Sequence, residues 1–147
     1  YVPLFSEIQD IYCGRDHPLF QTSCHPGAHI LESHDWVSRT YPHPLMPEAL
    51  AQCRISATAD SIEAAQILIL SGSHLGYLPC HHAASLQQQQ RLKALAPAPL
   101  RLTLTMHLAL RREAIDKPII QAFLGDITDV YRLDMPSPEL PARKQSV

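Results

Sequence analysis

The residues best suited to bind a ligand are Thr58, Asp60 and Ser61, which lie between a predicted strand and a predicted helix. Asp and Ser are common N-cap residues, and Glu63 in the first turn opposes the helix dipole, so a helix is predicted over residues 62–70. The first turn of a helix has free backbone amides that bind carboxylates or phosphates. Thr58, Ser61 and these amides are therefore predicted to bind a carboxylate or hydroxyl group of a small ligand. The alternative is that Asp60 and Ser61 only cap the helix.

A second group of candidate binding residues, Arg39, Thr40 and Tyr41, ends another predicted strand. An arginine guanidinium can form two parallel hydrogen bonds with one carboxylate. Because these residues lie where the edge of a sheet would open, Arg39 is a candidate partner for an acidic ligand. The alternative is a surface ion pair of Arg39 with Glu48 or Asp60.

The histidines and cysteines do not follow a common metal-binding pattern. The nearest cluster is Cys13, His17, Cys24 and His25, and its spacing matches neither C-x-x-C nor H-E-x-x-H. We interpret the histidines of this cluster as loop and surface residues, and we predict neither a metal nor a cofactor. The four cysteines are expected to be reduced, because they have no repeating spacing and the sequence indicates a cytosolic protein.

Cys80, followed by His81 and His82, is the one grouping in the sequence that suggests a nucleophile. Covalent catalysis needs a base that is held by a third group, and the sequence contains neither a Gly-x-Ser-x-Gly elbow nor a phosphate-binding loop. Adjacent side chains at the start of a helix also point in different directions. We therefore predict no catalytic residues and no enzymatic activity.

The composition excludes several further classes of protein. The 147 residues are 46% hydrophobic and 18% charged, with a formal net charge of −2. This segment lacks the basic excess that nucleic-acid binding requires. No apolar run approaches the roughly 20 residues of a membrane span, and residues 1–20 lack a signal-peptide core. A cytoplasmic location without membrane contact is the expectation.

Strands and helices alternate along the chain, which is typical of an α/β protein with a mostly parallel sheet. Strands are predicted at 7–13, 35–41, 54–58, 75–78 and 101–112, and helices at 47–52, 62–70, 80–90 and 117–130. The strand at 101–112 shows a clean period of two. Trp36 is expected in the core rather than against a ligand. In such sheets, ligands bind beyond the carboxyl ends of the strands.

Three phrases, in order, resemble the C-terminal regulatory region of LysR-type transcriptional regulators. They run from Leu4-Phe5 to His17-Pro18-Leu19-Phe20, from Ala59-Asp60-Ser61 through Ser71-Gly72 to Leu75-Gly76-Tyr77-Leu78-Pro79, and from Leu108-Ala109-Leu110-Arg111-Arg112 to Ala122-Phe123-Leu124. The resemblance implies a periplasmic-binding-protein-like (type 2) α/β regulatory domain, in which two subdomains are joined by two crossover strands. It further implies that one subdomain is complete here and the other partial.

On this template, residues 1–16 resemble the first crossover strand and a remnant of subdomain one, and residues 17–105 resemble the effector-binding subdomain two. Residues 106–130 look like the return crossover strand and the C-terminal helix of subdomain one, and a flexible tail is expected at 131–147. The family's helix-turn-helix domain, its linker helix and the first part of subdomain one have no counterpart in the sequence. We therefore expect a fragment of a longer regulator.

The resemblance also implies how such a protein acts. A small-molecule effector would bind in the cleft between the subdomains, through Arg39, Thr40, Tyr41, Thr58, Asp60 and Ser61. The cleft would close at a hinge formed by Cys13, Gly14, Met106, His107 and Leu108. DNA would be bound through the helix-turn-helix domain, in a homodimer or homotetramer.

Replacing Gly14 with a bulkier residue is expected to alter induction while folding is retained. The alternative function is that of a periplasmic-type solute-binding protein for a small carboxylate, because such proteins share the fold. Their genes would encode a signal peptide in place of a helix-turn-helix domain.

Overall fold

The computed structural model of the protein describes residues 1–23, 25–40, 47–95 and 98–131. The predictions that concern Cys24, Tyr41 and the tail after Tyr131 lie outside these ranges. The chain divides into two compact units, of which the first consists of residues 1–6 and 105–147 and the second of residues 7–104. Each unit is described by itself below.

Strands and helices alternate over much of the chain, but the helix expected at 47–52 is only a 3-10 helix over Glu48–Leu50. In the described part of the chain, the strands are β1 (Val2–Gly14), β2 (Asp35–Arg39), β3 (Arg54–Ala59), β4 (Gly76–Pro79), β5 (Leu92–Ala94) and β6 (Leu102–Leu108). The helices are α1 (Ala28–Glu32), α2 (Ile62–Leu70), α3 (Cys80–Gln88) and α4 (Pro118–Tyr131). Short 3-10 helices occupy Pro18–Gln21, Glu48–Leu50, Ala98–Leu100 and Arg112–Ala114.

The described strands form two sheets: β1, β4, β5 and β6 belong to one, and β2 and β3 form the other. β2 and β3 are parallel, and Trp36 of β2 forms a parallel bridge with Leu75, just before β4. β1 lies between β4 and β5 and is antiparallel to both. The expectation of a mostly parallel sheet is therefore wrong for β1. A single strand–helix–strand connection makes the two strands that it joins parallel. No such connection joins β1 directly to β4 or β5, so β1 is free to pair with them in the antiparallel direction.

The helix that precedes β4 begins and ends where the sequence predicts. Ser61 caps α2 at its start, and Gly72, with φ of +77°, follows its last turn in the left-handed conformation that glycine adopts without strain. Most of α2 is at least partly covered, although 66% of Ile67 is exposed. The residues of α2 that belong to the apolar cluster around Ile69 or pack against it are Ile62, Ala64, Ala65, Leu68 and Leu70.

The core of the second unit forms two apolar clusters, one around Trp36 and one around Ile69. Trp36 is 1% exposed and its indole Nε1 donates a hydrogen bond to the Leu31 carbonyl oxygen at 2.9 Å. The expected core role of Trp36 is therefore confirmed. This packing fixes β2 against α1 and sets the position of the carboxyl end of β2.

The two strands shared by the units differ most from their predicted lengths. β1 extends back to Val2 instead of beginning at residue 7, and β6 ends at Leu108 instead of residue 112. The alternating pattern of β6 fails at Met106, which is 41% exposed. Periodicity alone predicts an apolar face and not how far a neighbouring layer covers it.

The first unit contains the last helix of the described chain. The Phe5 and Tyr131 rings stack with their centroids 5.3 Å apart. None of the 14 residues of α4 is buried, and Ile119 and Val130 are each 74% exposed. The amphipathic pattern that predicts this helix is therefore present, and its apolar stripe of Ile120, Leu124 and Ile127 is half-buried.

The interpretation of His17 as a surface residue is wrong, because the fold buries its imidazole. His17 is 3% exposed, and its Nδ1 accepts a hydrogen bond from the Leu19 backbone N–H at 3.1 Å. The His34 ring lies 4.8 Å away between centroids. Burial and then the charge of His34 lower the pKa of His17 to about 4. The folded protein therefore keeps the His17 imidazole neutral at lower pH than the unfolded chain does.

We predict that acidification from pH 7 to 5 lowers the free energy of unfolding through His17. Between a pKa near 6.5 in the unfolded chain and about 4 in the fold, the unfolded chain binds the extra proton, which costs roughly 2 kcal/mol at pH 5. His17→Asn retains an acceptor for Leu19 and removes the titration, so its stability should fall less between pH 7 and 5. Urea denaturation at both pH values measures this, with exposed His81→Asn as the control. Equal pH dependence of wild type and His17→Asn would contradict it.

Candidate functional site

The candidate site lies at the carboxyl ends of the parallel strands β2 and β3. Ser38 is in register with Thr58, and Arg39 with Ala59. The Thr40 backbone N–H donates to the Ala59 carbonyl oxygen at 3.1 Å, which carries the pairing one residue further. Residues from both strand ends thus reach the edge where α2 begins. This edge matches the general location of ligand sites in α/β sheets.

Ser61 caps α2 as its sequence predicts. Its backbone is extended, and its Oγ accepts a hydrogen bond from the Ala64 N–H at 3.1 Å. The capping interpretation is therefore confirmed for Ser61. Removing such a cap costs about 1 kcal/mol, so a change at Ser61 affects folding as well as any bound ligand.

Asp60 does not cap the helix, since its carboxylate takes another partner. The Thr40 hydroxyl donates a short hydrogen bond to Asp60 Oδ1, which ties the residue after β2 to the residue after β3. The ion pairs among the residues that the structure describes are Asp35–Arg54 and Asp10–Arg101. The alternative pairing of Arg39 with Asp60 or Glu48 is therefore not present.

Arg39 is the site residue with unused hydrogen-bonding capacity. It is the last residue of β2 and is partly buried, and its Nε is shielded from solvent without a hydrogen-bond partner in the described chain. A buried donor without a partner is rare and costs stability. An anionic group that reached Arg39 would satisfy this donor and pair with the guanidinium charge.

Glu63 and His82 complete the charged surroundings of the α2 N-terminus. Glu63 is exposed, and its pKa is lowered first by a hydrogen bond from its own backbone N–H, then by one from the Ser61 hydroxyl, and further by attraction to His82 and Arg39. His82 lies on α3, and its Nε2 is buried without a hydrogen-bond partner in the described residues. Sequence reasoning did not include either residue in the site.

The sequence contains only part of the information needed to place Glu63 and His82 in the site. Glu63 is recognisable as a first-turn acid, but its link to Arg39 depends on the register of β2 and β3. His82 approaches α2 because the neighbouring Ala83 packs in the same cluster as Ala65. Membership of a shared apolar cluster leaves no periodic pattern in the sequence that points to His82.

The predicted hinge residues are divided between the two units. Cys13 and Gly14 are buried in the part of β1 that belongs to the second unit, while Met106, His107 and Leu108 lie in the part of β6 that belongs to the first. Their role as a hinge stays a prediction. A Cβ atom at Gly14 would lie 2.3 Å from the Ile69 carbonyl oxygen, so a bulkier residue at this position is expected to lower the stability of the fold.

The other groupings of reactive side chains have structural partners. In the described ranges, no three His, Cys, Asp or Glu side chains lie close enough to hold a metal ion. The Cys80 thiol is 3.5 Å from Asp10 Oδ2, and burial raises its pKa, which disfavours the nucleophilic thiolate. Asp10 is itself held by Arg101 through two hydrogen bonds of 2.9 Å.

None of the described helices has the length and apolarity to cross a membrane.

Comparison with known proteins agrees with this architecture. Residues 1–132 match the family model of the LysR substrate binding domain. The chain is 31% identical over 127 residues to the HTH-type transcriptional activator BauR of Pseudomonas aeruginosa, covering 84% of this chain and 41% of BauR. The chain thus spans less than half of this curated relative.

Two solved regulatory domains show the same fold. One is that of CrgA, a LysR-type transcriptional regulator from Neisseria meningitidis, with a TM-score of 0.65, 19% identity, and coverage of 88% of this chain and 67% of that one. The other is that of CcmR from Synechocystis PCC6803 in complex with 2-PG, with a TM-score of 0.63, 19% identity, and coverage of 92% and 67%. The expected periplasmic-binding-protein-like regulatory fold is confirmed. The chain belongs to the LysR substrate-binding domain family.

Proposed function

We propose that the chain is the effector-sensing part of a LysR-type transcriptional regulator, and that its effector carries a carboxylate. The observation that carries this proposal is the partly buried Arg39, at the edge where β2, β3 and the α2 N-terminus meet, whose Nε has no hydrogen-bond partner among the residues that the structure describes. Thr40, Thr58 and Ser61 supply hydroxyl groups at the same edge. Tyr41 stays a proposed contact on the strength of its position in the sequence.

Three features of the relatives support a regulator over a solute-binding protein. The family match covers most of the chain, BauR is a transcriptional activator, and CrgA is a transcriptional regulator. The complex of CcmR with 2-PG supports a small molecule as the ligand of this fold. We include in the proposal that DNA is bound through a helix-turn-helix segment and that the regulator is a cytoplasmic homo-oligomer without catalytic activity.

The proposed mechanism follows from the two strands shared by the units. β1 and β6 each contribute residues to both units. Effector binding at the edge of β2 and β3 would favour one bend of these strands over another, since a ligand shifts a conformational equilibrium by its difference in affinity for the two states. In an oligomer, that shift would alter the spacing of the DNA-binding segments.

We predict that Arg39→Ala weakens the binding of carboxylates by roughly 10- to 100-fold, because a charge-assisted hydrogen bond is lost. The control is Arg54→Ala, which removes the same charge at the amino end of β3, where Arg54 pairs with Asp35. Calorimetric titration with acetate, benzoate and succinate measures the affinities of both variants and wild type. The proposal is contradicted if Arg54→Ala weakens binding as much as Arg39→Ala, or if wild type binds none of these acids.

A further inference from the structure

We propose that the ion pair of Asp10 and Arg101 is a clamp that holds both shared strands, β1 and β6, to the second unit. A bend of these strands would then lie beyond the clamp, in the half of each strand that leads to the first unit. This inference deepens the proposed mechanism and so rests on the proposed function, but its test uses no effector. Four observations carry it.

The first observation is the geometry of the pair. The Nε and Nη2 groups of Arg101 each donate a hydrogen bond of 2.9 Å, one to each carboxylate oxygen of Asp10. Only 6% of the Asp10 side chain is exposed, against 47% of the Arg101 side chain. Such a bidentate pair with a buried carboxylate fixes the orientation of both side chains, whereas an ordinary surface ion pair contributes little.

The second observation concerns the segments that the pair joins. Asp10 lies in β1, and Arg101 is the last residue before β6. The residue before Arg101 is held as well, because the Tyr77 hydroxyl of β4 donates a hydrogen bond of 2.8 Å to the Leu100 carbonyl oxygen. The chain is therefore anchored to β1 and β4 immediately before β6 begins.

The third observation is a change in burial that coincides with the clamp on both strands. Every residue of β1 from Gln9 to Gly14, where β4 and β5 pair with it, is buried, and no residue of β1 before Gln9 is buried. In β6, Leu102 is buried and none of the later residues is. The clamp therefore lies where the packed part of each strand gives way to its open part.

The fourth observation is the close packing of β1 behind the clamp. Cys13 is fully buried, and the backbone at Gly14 lies so near α2 that an added Cβ atom would be 2.3 Å from the Ile69 carbonyl oxygen. A bend of β1 is thus favoured before Gln9 rather than at Cys13 and Gly14. On β6, residues 106–108 lie beyond the clamp, as the predicted hinge requires.

The test is hydrogen–deuterium exchange of the whole chain, followed by mass spectrometry of its peptides. In Arg101→Gln, we expect the amides of β6 to exchange about tenfold faster, because hydrogen bonds to a charged group are lost, while the amides of α2 change less. The double variant Asp10→Asn with Arg101→Gln leaves no buried charge unpaired, and it gives the same comparison if Arg101→Gln alone does not fold. The control is Arg54→Gln, which breaks the more exposed pair with Asp35 and should leave exchange in β6 unchanged.

The outcomes distinguish a clamp from a general contribution to stability. If β6 and α2 exchange faster by the same factor, if β6 does not respond, or if the double variant also fails to fold, the pair is no clamp and the inference is overturned. In wild type, we expect residues 2–8 of β1 to be less protected than residues 9–14, and equal protection along the strand would overturn the position of the bend. None of these results depends on acid binding, which Arg39→Ala tests separately.

Discussion

Replacing Gly14 with alanine is expected to lower the free energy of unfolding by about 3 kcal/mol. A Cβ atom at this position would lie 2.3 Å from the Ile69 carbonyl oxygen and 2.9 Å from that of Leu70. Both contacts are with backbone at the end of α2, so no side-chain rotation relieves them. Gly14 is also paired with Leu92 of β5, so a shift of β1 would disturb this pairing. The strand or the helix must shift, and the packing of α2 is disturbed.

Gly125 provides the control for this prediction, because a Cβ atom there meets nothing within 4 Å. It lies inside α4, where glycine costs about 0.5–1 kcal/mol relative to alanine. Gly125→Ala is therefore expected to stabilise its helix slightly. Urea denaturation followed by circular dichroism measures both variants. A Gly14→Ala protein as stable as wild type would show that β1 and α2 are not packed as closely as described.

Replacing Ile69 with alanine is expected to cost about 3 kcal/mol, within the range of 2–5 kcal/mol for buried aliphatic residues. Ile69 is fully buried and lies in the apolar cluster that holds α2 against the sheet. Its side chain occupies the room left by glycine at position 76, where an added Cβ atom would lie 2.9 Å from Ile69 Cδ1. A smaller residue leaves a cavity between α2 and β4.

Ile67→Ala is the matched control on the same helix. Ile67 is 66% exposed, so its truncation should change stability by no more than about 0.5 kcal/mol. The two variants share the same chemistry and differ only in the side of α2 that they occupy. Equal losses of stability in urea denaturation would mean that α2 is rotated from the orientation described here.

The boundaries of α2 are predictable from sequence because their causes are local. Ser61 provides the cap within the first turn, and Gly72 provides the left-handed residue just after the last turn. The end of β6 is not predictable from sequence, because the alternation of apolar residues continues beyond Leu108, where the strand ends. The alternation does not indicate how far a neighbouring layer covers the strand. The exposed first half of β1 is missed for the same reason.

The candidate site shows the same division between local and tertiary causes. The sequence predicts which strand ends carry Arg39 and Asp60, and the register of β2 with β3 brings these residues to one edge. The sequence does not predict which side chains these residues contact. In the structure, the Thr40 hydroxyl donates a hydrogen bond to Asp60, and Arg39 forms no ion pair among the residues described. The approach of His82 depends on the packing of α3, which no local pattern encodes.

The most direct test of the proposed effector site is to map bound acid by NMR on the isotopically labelled protein. Amide chemical shifts are followed while benzoate is added. We predict the largest saturable shifts at Thr40, Ser61 and Glu63, around the carboxyl ends of β2 and β3. Shifts that centre instead on Asp35 and Arg54, at the amino ends of the same strands, would contradict a carboxylate site at the α2 N-terminus.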